Sequence, residues 1–351
     1  MKPIRVLIVD DSALVRKILS RGLQEDPGIE VVGTAMDAYI ARDKLVELAP
    51  QVLTLDVEMP GMDGVEFLRR VMPQWPIPII MVSSLTQRGR QITLDALESG
   101  AVDFVAKPSV DVSSGLHGMM MELRTKVKIA ATANVSHWKQ KRVERPAPRA
   151  GPNRALEGST DKVIAIGAST GGIEAIRKVL TGFPANTPGT VIVQHMPANF
   201  TSLFAERMNT ICAMEVKEAQ DGDRVMNGRA LIAPGEKQMI VKRSGGMYRV
   251  KVFEGEKVSG HCPSVDVLMH SVAKDVGSNA LGIMLTGMGG DGSDGMLAMR
   301  KAGAWNIAQD EATCIVFGMP KVAFEKGGAE TLVPLEEIPG KVIQRLSRRG
   351  K

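Results

Sequence analysis

Cysteine is scarce in this sequence, and no long apolar run is present. The three cysteines, Cys212, Cys262 and Cys314, are widely and irregularly spaced, which excludes a paired disulfide framework and a cysteine-based metal motif. The first apolar segment is short and ends in two aspartates, so it fits neither a signal peptide nor a membrane span. We therefore expect a cytoplasmic protein with reduced thiols that is not embedded in a membrane.

Acidic residues are also scarce between positions 126 and 154, where basic residues accumulate together with prolines and glycines. The excess of basic residues behind the net charge of +5 lies in this segment, and its composition is typical of a solvated linker. We therefore expect no nucleic-acid partner. A DNA-binding output domain is the alternative that the basic character suggests; it predicts a salt-sensitive affinity for DNA, but no helix-turn-helix pattern is visible.

The sequence shows no internal repeat, and its 351 residues exceed one ordinary domain. Short apolar runs alternate with amphipathic stretches in two series, which indicates two α/β domains with parallel sheets. We predict an N-terminal domain over 1–126, a linker over 127–158 and a larger C-terminal domain over 159–351. The first domain should be a five-stranded doubly wound sheet with strands at 5–9, 29–32, 51–55, 77–82 and 102–106.

The C-terminal domain should be a larger doubly wound α/β domain. Its predicted strands include 162–166, 190–193, 230–233, 280–285 and 304–308. Residues 239–253 interrupt this series with two alternating runs around Ser244-Gly245-Gly246, which predicts an inserted β-hairpin.

Polar side chains follow the predicted strands of the N-terminal domain, at the edge of the sheet where ligands bind. They are Asp10 and Asp11, Asp56, Ser83, and Lys107. Three carboxylates held together would repel one another unless a hard divalent cation joined them, so we predict a Mg²⁺ site at Asp10, Asp11 and Asp56. Asp56 could then accept a phosphoryl group whose oxygens Lys107 and Ser83 would hold. Any one of these residues alone is better explained as a cap.

Ser169 is a candidate nucleophile. It lies between an apolar strand and the start of a helix, in a segment 167–171 that matches the G-x-S-x-G nucleophile elbow. Such a turn exposes the hydroxyl, and the amides at the helix start can stabilise an oxyanion. The motif alone is weak evidence, and a dinucleotide-binding loop is a weaker alternative.

A serine nucleophile needs a base, and His195 is our candidate because it directly follows a strand and should reach the same sheet edge as Ser169. His261, in a loop, is the main competitor. The remaining histidines are predicted to be surface or structural residues: His117, His137 and His270.

The base needs an orienting acid, and Asp291 fits because it lies in a glycine-rich loop after a strand. Asp266 and Asp294 remain alternatives, and a simple helix cap would also explain Asp291. Backbone amides near Met288 could form the oxyanion hole. The order Ser-His-Asp differs from the Ser-Asp-His order of α/β-hydrolases, so likeness to their elbow is convergent at most.

Two sets of motifs, in order, carry a family resemblance. The series Asp-Asp, Asp, Ser, Lys-Pro resembles response-regulator receiver domains, and the segments 166–172, 194–197, 232–235, 263–266 and 285–292 look like those of CheB-type chemotaxis methylesterases. The resemblance covers essentially the whole chain. It implies the triad Ser169, His195 and Asp291, and Phe104 as the aromatic switch residue of the receiver. Thr170 and Met288 are our candidates for supporting the oxyanion.

The resemblance also implies an activity and its control. The family hydrolyses glutamate methyl esters on chemoreceptors, releasing methanol, and many members deamidate receptor glutamines. A chemotaxis histidine kinase would supply the phosphoryl group through the Mg²⁺-dependent receiver, and no cofactor would be needed for the esterase reaction. The unphosphorylated receiver would cover the hydrolase site. A catalytically inert scaffold that binds receptors is the second alternative.

Overall fold

A computed structural model describes residues 2–84, 86–107, 112–140 and 161–347. The chain divides into two compact units, Met1–Arg145 and Pro146–Lys351. The predicted boundaries at 126 and 158 remain predictions: a helix runs past position 126, and residues 141–158 of the predicted linker lie outside the described residues, as do Pro108 and the basic tail 348–351. Within the described residues, no helix has both the length and the apolar character needed to cross a bilayer.

The first unit is a parallel five-stranded sheet in the order β2-β1-β3-β4-β5. Its two strands Val52–Asp56 and Ile79–Ser83 are wholly buried, as expected for interior strands of a parallel sheet covered by helices on both faces. Ser12 caps the first helix by accepting a hydrogen bond from the amide of Val15. The elements are β1 (Ile4–Val9), α1 (Ala13–Gln24), β2 (Ile29–Ala35), α2 (Ala38–Leu48), β3 (Val52–Asp56), α3 (Gly64–Val71), β4 (Ile79–Ser83), α4 (Gln87–Glu98), β5 (Asp103–Ala106) and α5 (Val112–Ala130).

The second unit contains a parallel seven-stranded sheet in the order β15-β14-β13-β6-β7-β10-β8. Helices and strands alternate along this part of the chain, and a hairpin is inserted before the third helix. The elements are β6 (Val163–Ala168), α6 (Gly172–Thr181), β7 (Gly189–Gln194), α7 (Phe200–Ile211), β8 (Glu215–Glu218), β9 (Arg224–Val225), β10 (Arg229–Ile232), β11 (Gln238–Ser244), β12 (Met247–Phe253), α8 (Val265–Asp275), β13 (Ala280–Met284), α9 (Ser293–Lys301), β14 (Trp305–Gln309), α10 (Met319–Glu325), β15 (Thr331–Val333) and α11 (Ile338–Ser347).

The fold class predicted from the sequence is confirmed, including the inserted hairpin. β11 and β12 pair across Ser244 and Met247, and β9 adds a third antiparallel strand beside β12. In the large sheet, β6 lies between β13 and β7. The strands β7, β8 and β10 lie on one side of β6, and the later strands β13, β14 and β15 lie on the other side. The carboxyl ends of these three strands meet at the switch point where open parallel sheets bind ligands.

Candidate active site

Ser169 lies at the switch point, one residue beyond the end of β6. Its amide donates to the carbonyl of Thr286 at 3.0 Å, and its own carbonyl accepts from the amide of Gly172 at 2.7 Å. Gly171 has a φ of 77°, a left-handed conformation that favours glycine, and α6 begins at the next residue. The serine is therefore held on a tight strand-to-helix turn with its side chain partly exposed.

Gln194 fixes the backbone of this turn, a role that was not predicted from the sequence. Its buried side-chain amide donates to the carbonyls of Ser169, at 3.0 Å, and His195, at 3.1 Å. A Cβ at Gly172 would lie 2.0 Å from the Gln194 Oε1, so this position must lack a side chain. One amide thus holds the main chain of both the candidate nucleophile and the candidate base.

His195 follows β7 at the same edge of the sheet as Ser169. β6 and β7 pair up to Ala168 and Gln194, and the amide of His195 donates to the Ala168 carbonyl at 3.1 Å. The Nε2 of the ring lies 2.8 Å from Oδ2 of Asp291. The Nδ1 is buried and has no hydrogen-bond partner within the described residues. One ring nitrogen is therefore held by a carboxylate, while the other is left to exchange a proton.

The carboxylate of Asp291 is buried at the start of α8 and accepts four hydrogen bonds. Besides His195, the donors are the hydroxyl of Ser264 at 2.8 Å and the amides of Val265, at 2.8 Å, and Asp266, at 3.1 Å. Burial acts to raise the pKa of Asp291, but the hydrogen bonds, first that from His195, outweigh it and leave the pKa below its usual value. A helix N-terminus also favours the anion. Asp291 is therefore an ionised partner for the imidazole.

The two alternative acids have other partners. The carboxylate of Asp266 accepts from the amide of Gly295 at 2.8 Å, and burial raises its pKa. Asp294 is exposed and forms an ion pair with Lys326 at 2.6 Å. Among the three aspartates, the geometry therefore favours Asp291 as the acid beside His195.

His261, the competing base, lies flat against His195. The ring centroids are 3.7 Å apart and the planes differ by 8°. A tight turn presents this ring: Ser259 and Gly260 have φ values of 53° and 84°, and Val258 and His261 exchange two backbone hydrogen bonds. Burial, and then the neighbouring imidazole, lower the pKa of His261 to about 4. His261 is therefore a neutral ring that packs on the candidate base.

The loop after β13 approaches Ser169 closely through Gly287. A Cβ at Gly287 would lie 2.7 Å from the Ser169 Cβ, so only glycine allows this approach. The side chain of Thr286 braces the loop by donating to the carbonyl of Thr170 at 3.0 Å. The Gly287 amide already donates to Val316 at 3.1 Å. Thr170 is buried and Met288 is exposed, and their role in binding an oxyanion stays a prediction.

The carboxylates predicted to bind a metal come together in the first unit. Oxygens of Asp10, Asp11 and Asp56 lie within 4.8 Å of one another, a set of hard donors that fits Mg²⁺. The Lys107 ammonium lies 2.9 Å from Asp10 and 2.8 Å from Asp56. Burial raises the pKa of Asp56 to about 6, against the effect of Lys107. A cation here would favour the ionised form that phosphorylation requires.

The remaining predicted receiver residues are buried and engaged elsewhere. The Ser83 hydroxyl donates toward the carbonyl of Gly89 at 3.2 Å and accepts from Thr93 at 2.7 Å. It forms no hydrogen bond to Asp56 within the described residues, so its predicted contact with phosphoryl oxygens would need a rotation. Phe104 is buried on β5, with the Lys126 ammonium 5.1 Å from its ring centroid.

Two family models match this chain. The model of the CheB methylesterase covers residues 164–342, and that of the response regulator receiver domain covers residues 6–113. The chain belongs to the CheB methylesterase family. The family resemblance predicted from the ordered motifs is thus confirmed, and the alternative of a DNA-binding output loses its basis because the methylesterase model occupies the C-terminal unit.

Two relatives match this CheB methylesterase chain over nearly its full length and share a name. A protein-glutamate methylesterase/protein-glutamine glutaminase from Syntrophotalea carbinolica is 66% identical, with 99% of each chain covered. One from Salmonella typhimurium is 49% identical, with 99% of this chain and 98% of that protein covered. The crystal structure of the Thermotoga maritima CheB methylesterase catalytic domain is 36% identical and superposes with a TM-score of 0.52, covering 53% of this chain and 100% of that one.

Proposed function

We propose that this chain is a phosphorylation-regulated serine hydrolase that demethylates glutamate methyl esters on chemoreceptors and deamidates receptor glutamines. The observation that carries the proposal is the bond from His195 to the buried, ionised Asp291 at the sheet edge that also bears Ser169. Residues 1–126 would be the receiver and 159–351 the catalytic domain. The names of full-length relatives support both activities.

The proposed reaction follows from the two ring nitrogens of His195. Nδ1 takes the proton of the Ser169 hydroxyl as its oxygen attacks the ester carbonyl carbon, and Asp291 stabilises the imidazolium through Nε2. This reverses the more familiar use of the two nitrogens, in which Nε2 faces the serine. The imidazolium then protonates the leaving methoxide, and methanol departs. Water hydrolyses the acyl-enzyme to a glutamate carboxylate; a glutamine substrate would release ammonia instead.

Helix and loop amides would stabilise the oxyanion in this reaction. The start of α6 directly follows Ser169, and the loop with Gly287 lies against it. An oxyanion donor is worth about 3–4 kcal/mol and a general base roughly 10²–10⁴-fold in rate. Thr170 and Met288 are the proposed sources of these amides.

Control would come from the receiver. Asp10, Asp11 and Asp56 would hold Mg²⁺, which supplies charge neutralisation for phosphoryl transfer, and Asp56 would accept the phosphoryl group from a chemotaxis histidine kinase. Lys107, whose ammonium lies 2.8 Å from the carboxylate of Asp56, would hold a phosphoryl oxygen. The added charge at Asp56 would bias the chain toward its active state, with Phe104 and the surface near Lys107 carrying the change.

Methanol release from a methylated chemoreceptor tests the proposal. We expect release by the full chain, a faster rate with a small phosphodonor and Mg²⁺, and no release by Ser169→Ala. An Asp56→Ala protein should lose the stimulation. If the wild-type chain releases no methanol, the chain acts as a scaffold. If Ser169→Ala retains the activity, the proposed chemistry is wrong because another group must be the nucleophile.

A further inference from the structure

The outer face of the small sheet β9-β12-β11 carries a row of positive side chains. Lys242 on β11 pairs directly with Arg249 on β12, which pairs with Arg224 on β9, so three cations lie side by side across three strands. Lys251 follows on the same face, two residues along β12 from Arg249. We call these four residues the basic face. All four are exposed.

Within the described residues, none of the four cations of the basic face forms an ion pair with a carboxylate; the carboxylate of Asp221 accepts from the amide of Val252 at 3.0 Å. Arg249 donates to the carbonyl of Gly222 at 2.7 Å, and the Lys251 ammonium lies 5.9 Å from the ring centroid of Phe253; neither contact involves a carboxylate. The nearby acidic side chain of Asp223 is paired with Lys217 at 3.0 Å. Like charges directly opposite one another destabilise a sheet. The row therefore costs stability, which favours a role in binding an anionic partner.

The opposite face of the same sheet is a core face. Met239 and Val241 on β11, and Val250 on β12, are buried and belong to the apolar core of the second unit. On β12, the exposed Arg249 and Lys251 flank the buried Val250, and on β11 the exposed Lys242 follows the buried Val241, so the register that buries the apolar residues points these cations outward. The hairpin is thus anchored firmly, and its charged surface is presented on a rigid element.

The strand β11, which carries part of the basic face, begins beside the candidate active site. Gln238, the first residue of β11, lies opposite Phe253, and its Oε1 accepts from the amide of Ser264 at 2.9 Å. Ser264 in turn donates to Asp291 at 2.8 Å. Lys242 is four residues further along the strand, a distance of about 14 Å at the usual rise per residue. A polypeptide bound at Ser169 could therefore extend along the basic face.

We propose that the basic face docks an acidic segment of the protein substrate while a neighbouring glutamyl side chain is hydrolysed at Ser169. This inference rests on the proposed function. The positive charge of the basic face favours an acidic partner. The proposed substrate fits this requirement, because each turnover converts an esterified glutamyl group into a carboxylate. Exposed charge pairs across an interface affect how fast the partners associate and how they align. The basic face would therefore govern capture of the substrate and leave the rate of the chemical step unchanged.

The test is the triple variant Arg224→Gln, Lys242→Gln, Arg249→Gln of the full chain. We expect KM for methylated receptor to rise roughly tenfold, as three weak exposed ion pairs would together give, with kcat within about twofold of the wild type. Added salt should raise KM of the wild type and have a smaller effect on the variant. The matched control neutralises three exposed lysines of the same unit, Lys301, Lys321 and Lys341, and should leave KM unchanged.

Sedimentation with an unmethylated receptor fragment measures docking without any chemistry, so the two ideas can fail separately. If the wild type releases no methanol but binds the fragment through the basic face, the proposed function fails and the docking surface stands. An unchanged KM and Kd in the triple variant, or an equal loss in the control, would overturn the inference. So would a loss confined to anionic lipid vesicles or to duplex DNA, with receptor binding intact.

Discussion

Replacing Asp291 by asparagine removes the charge of the proposed acid while keeping its shape. Oδ2 accepts from His195 and from the Val265 amide, each at 2.8 Å, while Oδ1 accepts from the Ser264 hydroxyl at 2.8 Å and the Asp266 amide at 3.1 Å. An amide side chain has only one oxygen. One pair of donors must therefore face its NH₂ group.

In the Asp291→Asn protein, the less costly orientation of the new side chain keeps its oxygen toward His195 and Val265. The NH₂ group then faces Ser264 and Asp266. The Ser264 hydroxyl can rotate and accept, but the Asp266 amide loses its acceptor. A buried donor without a partner costs about 1–3 kcal/mol. We expect the free energy of unfolding to fall by about that amount in urea denaturation at pH 7.

The effect on the rate should be much larger than the effect on stability. Without the carboxylate, the imidazolium that forms on His195 loses its counter-charge, and loss of the acid in a serine triad lowers kcat by roughly 10⁴-fold. The assay is methanol release from methylated receptor, with KM measured in parallel and expected to change little. A loss in kcat of less than about tenfold would refute the assignment of Asp291 as the orienting acid.

Acidification gives a second measurement on the same pair of proteins. Because the pKa of Asp291 in the folded chain lies below the ordinary value of 3.8, its charge stabilises the fold fully above that value and the stabilisation is lost as pH falls through the folded pKa. The difference in unfolding free energy between wild type and Asp291→Asn should be constant near neutral pH and shrink below about pH 4. A difference that grew on acidification would contradict the ionised state.

Three further predictions concern other positions. His261→Ala should lower kcat about tenfold, whereas His261→Phe should keep most of it, because a flat ring still packs on His195. Asp56→Asn should abolish the rise in methanol release that a small phosphodonor and Mg²⁺ produce. Gly287→Ala should lower both kcat and the melting temperature, because the added Cβ would lie 2.7 Å from the Ser169 Cβ.

Matched variants separate these effects from general damage. Asp43→Asn, at an exposed carboxylate of the first unit, should keep the response to the phosphodonor. Gly340→Ala adds a Cβ with no atom within 4 Å and should preserve both rate and melting temperature. Equal kcat values for the alanine and phenylalanine variants of His261 would show that ring packing is not what this residue contributes.

Much of the fold could be predicted because long buried strands are visible in the sequence as apolar runs. β6 and β7 are buried throughout, and each was predicted within two residues. The edge strands β8 and β15 were not predicted, because one of them, Glu215–Glu218, is short and mostly polar, and a strand at the edge buries little. β9 has two residues and exists only through pairing with β12.

The candidate site was predictable in its residue types but not in its contacts. Ser169 and His195 follow from their positions after strands. The choice of Asp291 over Asp266 depends on which carboxylate meets the amides at the start of α8, a tertiary fact that no local pattern encodes. Gln194 lies in the family-like segment 194–197, but a glutamine at the end of a strand indicates no particular role; only its two carbonyl acceptors reveal it.

The side-chain amide of Gln194 joins the main-chain carbonyls of Ser169 and His195. The separation of the proposed nucleophile and base is therefore set by the main chain and not by their side chains. Removing the imidazole by His195→Gly should therefore leave the serine turn in place and open a slot between the Asp291 carboxylate and the flat face of His261. A slot of that shape suits a free imidazole molecule. The lost base could then be supplied from solution, and the activity would become a saturable function of added imidazole.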